Sequence, residues 1–334
     1  MSTTVGDRAL VIGGTRFIGR HTVEHLVEHG YDVTVFNRGN HENPFADRDA
    51  VARVEGDRTN DTALERAREE ADPDVVVDMV AYHPRDVRSA TRAFADVDAY
   101  VSVSSGAAYG EEAIPKREDE TSLEPCTQEQ AVDDSPETYG ARKAEGDRAV
   151  FAAADRGVRA MSVRPPVVYG PHDYTERLDY WIDRVASHDR VLVPGDGTNL
   201  WHRVYVESVA SALRVVAEEG AAGEAYNAGD RRLTTLRATV ERLADALETD
   251  VEVVTAGGRE LAAGDLSPGD FPLYRDPPHV LSTAKLAALD WTPTPLADAY
   301  ERTVAAHLDG DRTGREPGPS REAEERVLGV LDTV

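Results

Sequence analysis

The chain has 334 residues, 40% of them hydrophobic, which is enough for one large α/β domain plus a second lobe. Its 62 acidic residues outnumber 37 lysines and arginines, and the resulting net charge of -25 repels nucleic acid and anionic membrane. The lone cysteine, Cys126, excludes an internal disulfide and a cysteine-built zinc site, and no apolar run reaches the ~18 residues of a membrane span.

In chain order, the N-terminus is polar and runs straight into a strand, so no signal peptide and a cytoplasmic address are expected. The first half alternates short apolar runs with helical periodicity. Residues 9–12, 32–36, 52–55, 75–80, 99–104 and 159–164 read as strands; 19–29, 63–70, 84–95 and 139–156 read as helices. Such alternation implies an α/β fold, a Rossmann-type doubly wound parallel sheet with right-handed crossovers. Residues 111–136 are acidic, hold three prolines and read as a surface loop.

Beyond Pro165 the rhythm changes to a smaller mixed α/β lobe. There 173–188 reads as helix, 190–194 as a short strand, Gly195-Asp196-Gly197 as a turn, 204–206 as a strand and 208–219 as a helix. Further helices are expected over 233–247, 282–289 and 296–308, then a linker over 313–319 and a capped helix over 320–331. The expected division is 1–165 for the sheet domain with 204–228 returning to it, 166–311 for the lobe, and 312–334 for linker and terminal helix.

The first strand runs into Gly13-Gly14-Thr15-Arg16-Phe17-Ile18-Gly19 and then a helix. Glycine suits the sharp turn, the close approach of backbone to a pyrophosphate, and tight packing of helix on sheet. The helix N-terminus adds amide donors and a positive dipole end. This points to a dinucleotide held by Gly13, Thr15, Arg16, Phe17, Ile18 and Gly19. Strand two ends at Asn37-Arg38. A carboxylate there would bond the adenosine ribose and repel a 2′-phosphate; Asn37 carries no charge, and Arg38 and Arg16 offer bidentate donors, so the pattern leans to NADP over NAD. Asp57, after strand three, is placed to accept from the adenine amino group or, alternatively, to serve only as a turn aspartate.

Tyr139 and Lys143 stand four apart and share a helix face. Free tyrosine has a pKa near 10 and is a poor base at neutral pH; a nearby ammonium favours the phenolate, and a shift of about three units is worth ~4 kcal/mol. With twelve tyrosines and three lysines, chance predicts only about 0.1 such pairs per chain. Ser105, at the C-terminal edge of strand five, is a candidate donor to the substrate oxygen, with Ser104 as the alternative hydroxyl.

These residues meet a family. The chain resembles the extended short-chain dehydrogenase/reductase family, the NAD-dependent epimerase/dehydratase group. The resemblance is carried by the glycine loop, Ser104-Ser105-Gly106-Ala107-Ala108-Tyr109-Gly110, Tyr139 to Lys143, Arg164-Pro165-Pro166-Val167-Val168-Tyr169-Gly170-Pro171 and Ala225-Tyr226-Asn227-Ala228-Gly229. It implies that Ser105, Tyr139 and Lys143 are the catalytic trio, that Pro165 to Val168 flank the nicotinamide, that Ala81 lines the cofactor cleft, and that the helices over 84–95 and 139–156 join two copies as a homodimer.

Four departures restrict the reading. Arg16 replaces the middle glycine of the loop, as in an atypical branch that includes a chloroplast stem-loop RNA-binding protein. Gly106-Ala107 stand where sugar dehydratases carry an acid pair, so water elimination lacks its proton donor and base. Trp201 stands where the family often has an arginine for the substrate pyrophosphate, with Arg203 nearby as a substitute. The loop between Ser105 and Tyr139 is also longer than usual. His83 and His202 join Trp201 and Arg203 as candidate substrate contacts; no histidine spacing suggests a metal. The expected activity is an NAD(P)-dependent epimerase or oxidoreductase acting on a small molecule, a sugar or sugar-nucleotide-like substrate. The alternatives are an NADP-dependent reductase of a smaller carbonyl compound and, more remotely, a non-catalytic nucleic-acid-binding relative.

The acids are scattered over most segments rather than gathered in a tail, which reads as adaptation to a high-salt cytoplasm where self-repulsion is screened. Far-UV circular dichroism should therefore fade in dilute buffer and return in molar KCl. Full helicity without added salt would sink this expectation.

Overall fold

A computed structural model describes residues 5–333; the first four residues of the polar N-terminal stretch lie outside them. The chain opens with β1 (Arg8–Ile12), α1 (Phe17–Glu28), β2 (Asp32–Asn37), β3 (Val51–Glu55), α2 (Asp61–Ala71), β4 (Val75–Asp78), α3 (Pro84–Ala93), β5 (Ala99–Val103), α4 (Tyr139–Ala154) and β6 (Ala160–Arg164). It continues through β7 (Val167–Tyr169), α5 (Arg177–Ser187), β8 (Arg190–Pro194), β9 (Arg203–Tyr205), α6 (Val206–Glu219) and β10 (Ala225–Asn227). The remainder is α7 (Leu236–Ala246), β11 (Glu252–Ala256), α8 (Gly258–Leu261), α9 (Ala284–Ala287), α10 (Leu296–Leu308) and α11 (Arg321–Leu331).

Two compact units result. The first holds the chain up to Pro166, Val206–Gly229 and Leu281–Pro293. Its sheet runs β10-β6-β5-β4-β1-β2-β3, all parallel. The two central strands β4 and β5 are buried along their whole length, as strands covered on both faces must be, and so are nearly continuous in apolar residues. Leu10, Ile12, Phe36, Val76, Tyr100 and Val150 pack into one core cluster. The order reverses between β1 and β4, which creates the crevice at the C-terminal strand ends where such sheets hold ligands. Local chemistry fixes the helix starts beside it. Asn60 caps α2 by accepting from the Thr62 amide, and α3 opens with Pro84 at its first position and Asp86 accepting from the His83 amide.

The second unit holds Val167–Tyr205, Asp230–Val280 and the chain from Thr294 onward. It contains two small parallel pairs, β7 with β9 and β8 with β11. Its terminal helix α11 is capped by Ser320, which accepts from the Ala323 amide. The helix is pinned by Glu324, which takes the Arg184 Nε at 2.7 Å and the Tyr180 hydroxyl at 2.5 Å.

Several sequence boundaries are corrected. β4 stops at Asp78 rather than 80, because the Asp78 carboxylate accepts the Val80 amide and turns the chain out of the ladder. α5 starts at Arg177 rather than 173, because Asp173 accepts from both the Thr175 amide and hydroxyl and Glu176 takes a left-handed φ of 52°. The helix expected over 282–289 is one turn, and residues 281–293 belong to the first unit. Residues 313–331 group with the second unit. The short strands β7, β10 and β11 were not legible as strands. No helix among the described residues is long and apolar enough to cross a membrane.

Candidate active site

The glycine loop is built as its composition requires. Gly13 takes φ +92° and donates its amide to Phe36 O at 3.0 Å. A Cβ on Gly19 would lie 2.4 Å from Gly13 O, so α1 can approach the β1 turn this closely only through glycine. Phe17 is buried, Thr15 and Ile18 are half-buried, and Arg16 is exposed. Arg16 occupies the N-cap of α1 with extended backbone and gives no side-chain cap, so the first-turn amides receive none from it. This cradle fits a pyrophosphate.

At the adjoining strand ends, Asn37 Oδ1 accepts from the Gly39 amide. Asp57 Oδ1 accepts from the Thr59 amide and hydroxyl, and these bonds, followed by the charges of Arg38 and Arg58, hold its carboxyl below the usual range. Asn37, Arg38 and Asp57 thus share one stretch of the sheet edge, with Asp57 serving its turn.

Tyr139 opens α4, half-buried, and Lys143 follows one turn later. Gly140 explains how α4 reaches the strand-five turn: a Cβ there would lie 2.5 Å from Ala107 O. In that turn, Ser105 Oγ accepts from the Ala107 amide at 3.1 Å, which leaves its O–H to donate. Ser104 is buried, with its hydroxyl unpartnered among the described residues. Pro165 is buried and its carbonyl accepts from the Gly106 amide. Lys143 Nζ donates to Ala81 O at 3.0 Å and Val103 O at 2.8 Å and stands 5.8 Å from the Tyr139 ring centroid. Burial pulls its pKa down to about 8, against the opposing pull of Asp78 and Asp147.

Beneath this pair lies a buried charged layer that the sequence did not disclose. Arg58 Nη1 bonds both oxygens of Asp78, at 2.9 and 2.8 Å, while Tyr100 donates to Asp78 Oδ2. On the other side Asp147 accepts from Arg164 Nε at 2.7 Å and Ser162 Oγ at 2.6 Å, and Arg164 Nη1 donates to Tyr109. Arg142 fastens the Tyr82 and Ser135 carbonyls. Of these groups, only Asp78 and Arg164 are charges at the ends of otherwise uncharged strands.

His83 Nδ1 lies 3.2 Å from Ala131 O and its Nε2 2.9 Å from Asp134, so it ties the acidic loop to the start of α3. Val168, Trp201, His202 and Arg203 lie in the second unit. Val168 is buried in β7, and Trp201 is half-buried with the Arg275 guanidinium 5.8 Å over its ring. His202 is buried, with Nε2 2.8 Å from Asp230 O; burial lowers its pKa to about 4, so it is neutral. Arg203 is buried, bonding Thr234 and Thr239 through Nη2, while its Nη1 has no partner among the described residues. Of the two helices expected to join two copies, α3 shows an outward arginine row, Arg85, Arg88 and Arg92, with Arg88 bonded to Glu145 of α4.

Known proteins align with this architecture. Residues 9–229 match the family described as the NAD dependent epimerase/dehydratase family. The chain is 25% identical over 258 residues to the chloroplast stem-loop binding protein of 41 kDa b of Arabidopsis thaliana, covering 74% of this chain and 65% of that protein, just under two thirds of its length. It is 27% identical over 333 residues to a low-salt glycan biosynthesis protein of Haloferax volcanii, covering 90% of this chain and 99% of that one. The crystal structure of dTDP-glucose 4,6-dehydratase from Bacillus anthracis in complex with NAD has a TM-score of 0.71 at 23% identity, covering 91% of this chain and 97% of that one, a likeness of fold. The family match spans the whole glycine loop, the Ser105 turn and the Tyr139–Lys143 helix, and the chain belongs to the NAD-dependent epimerase/dehydratase family.

Proposed function

We propose that the chain is an NAD(P)-dependent epimerase or oxidoreductase acting at a carbinol or carbonyl carbon of a sugar or sugar-nucleotide-like substrate, with Tyr139 as general acid and base. One arrangement carries this reading. Tyr139 and Lys143 lie on the helix that Gly140 seats against the Ser105 turn, and that turn continues as Gly106-Ala107 without a carboxylate. A bound dinucleotide supplies the hydride acceptor and donor. The loop from Gly13 to Gly19 would hold its pyrophosphate, and Asn37 and Arg38 favour NADP by lacking a carboxylate against a 2′-phosphate.

Within the chain's own groups, Ser105 donates its O–H to the substrate oxygen. Tyr139 takes the carbinol proton or returns it to the carbonyl. Lys143, with two N–H bonds on carbonyls, keeps a third donor and a charge that favours the phenolate. Without an acid and base at 106 and 107, the site lacks the two groups that elimination needs.

Trp201 in place of an arginine, together with Asn37-Arg38, favours the second reading, an NADP-dependent reductase of a smaller carbonyl compound. The net charge of -25 argues against nucleic-acid binding by this chain, whatever the name of its chloroplast relative. Mass spectrometry of small molecules released from purified protein tests the choice. An epimerase should retain its dinucleotide and turn over with none added; strict dependence on added NADPH would establish the reductase instead.

A further inference from the structure

The segment between β4 and α3 presents a large aromatic side chain, Tyr82, that the reaction above does not use. It is 45% exposed, yet its backbone is fixed. The Tyr82 amide donates to Val80 O and its carbonyl accepts from Arg142 Nη1. The preceding carbonyl, Ala81, accepts from Lys143, and the following residue, His83, is the N-cap of α3. The ring centroid stands 5.2 Å from Lys143 Nζ, nearer than the 5.8 Å to the Tyr139 ring. The ammonium is therefore within cation–π range of two aromatic rings.

Lys143 needs such neighbours. It is 4% exposed and its two hydrogen bonds go to neutral carbonyls. Asp78 at the end of β4, Asp86 on α3 and Asp147 on α4 favour its charge, and Arg58 opposes it. The two strongest of these carboxylates are already paired, Asp78 with Arg58 and Asp147 with Arg164. A ring quadrupole adds attraction to the charged form of the ammonium.

We propose that Tyr82 is a positioning residue for Lys143: its ring, with that of Tyr139, forms an aromatic seat that keeps this buried ammonium protonated. The consequence for turnover rests on the function proposed above, whereas the contact does not.

The chain has three lysines, at 116, 143 and 285, so protein labelled with 15N-lysine gives few side-chain signals to follow, and Lys143→Met assigns one of them. Titrated without substrate or dinucleotide, the Lys143 midpoint should be the same in wild type and Tyr82→Phe. It should fall by about one pH unit in Tyr82→Leu, which keeps apolar bulk but has no quadrupole. A Tyr82→Leu midpoint at or above wild type overturns the proposal. Should Tyr82→Leu lose its wild-type circular dichroism, Tyr82→Trp takes its place: a raised midpoint supports the seat, and an unchanged or lowered one overturns it. In turnover, the alkaline limb of the rate should move to lower pH in Tyr82→Leu and stay in Tyr82→Phe. A moved midpoint in a protein whose wild type shows no turnover with either retained or added dinucleotide removes the functional reading alone. An active wild type with an unmoved midpoint removes only the role of Tyr82.

Discussion

Tyr139→Phe is expected to lower turnover by about 10²- to 10⁴-fold, the usual contribution of a positioned acid–base group, while dinucleotide affinity stays nearly unchanged. The substitution removes one oxygen. The ring that stands 5.8 Å from Lys143 remains, as does the contact of Gly140 with Ala107 O that seats the helix, so neither the glycine loop nor the Ser105 turn is disturbed. Lys143→Met gives the contrasting pattern. It leaves the carbonyls of Ala81 and Val103 without their donor and removes the charge beside the phenol, so binding and rate should both fall. Fluorescence titration with the reduced dinucleotide separates the two effects from steady-state rates. Near-wild-type turnover in Tyr139→Phe would refute its role as general acid and base.

The second large effect is on stability. Asp147→Ala is expected to destabilise the chain by about 3–5 kcal/mol, because it strands the buried Arg164 guanidinium without its carboxylate. Both side chains are 1% exposed, and Asp147 also satisfies the Ser162 hydroxyl. Such a loss is a large share of the roughly 5–15 kcal/mol that holds a typical domain folded. Replacing both partners with apolar residues, Asp147→Leu with Arg164→Met, should recover much of the loss, since no unpaired charge is then left inside. Urea unfolding measures the difference. A cost under about 1 kcal/mol for Asp147→Ala would show that the pair is dispensable, as exposed pairs are.

How much of this was legible before folding depends on the range of the interaction. Strand–helix alternation, the glycine loop and the four-residue spacing of Tyr139 and Lys143 are local patterns, and they located the sheet and the helix that carries the candidate pair. Boundaries failed where a side chain competes with the backbone over two or three residues. Asp78 ends β4 and Asp173 delays α5 in this way, and periodicity does not register such bonds. The partners of His83, Ala131 and Asp134, lie about fifty residues away and leave no local signature in the sequence.

By itself, then, the sequence determined the α/β class, the place of the glycine loop and the residue types available for hydride and proton chemistry, because each depends on neighbours within a few positions. Tertiary structure decided which charges pair inside and which serine is buried. It also decided that Arg203 lies buried among threonines, and that Tyr82 and Tyr139 both stand near Lys143. Arg58 meets Asp78 across twenty residues and Lys143 meets Ala81 across sixty-two. Only the closing of the parallel sheet brings such groups together, and only burial makes their pairing matter to stability and to the charge of Lys143.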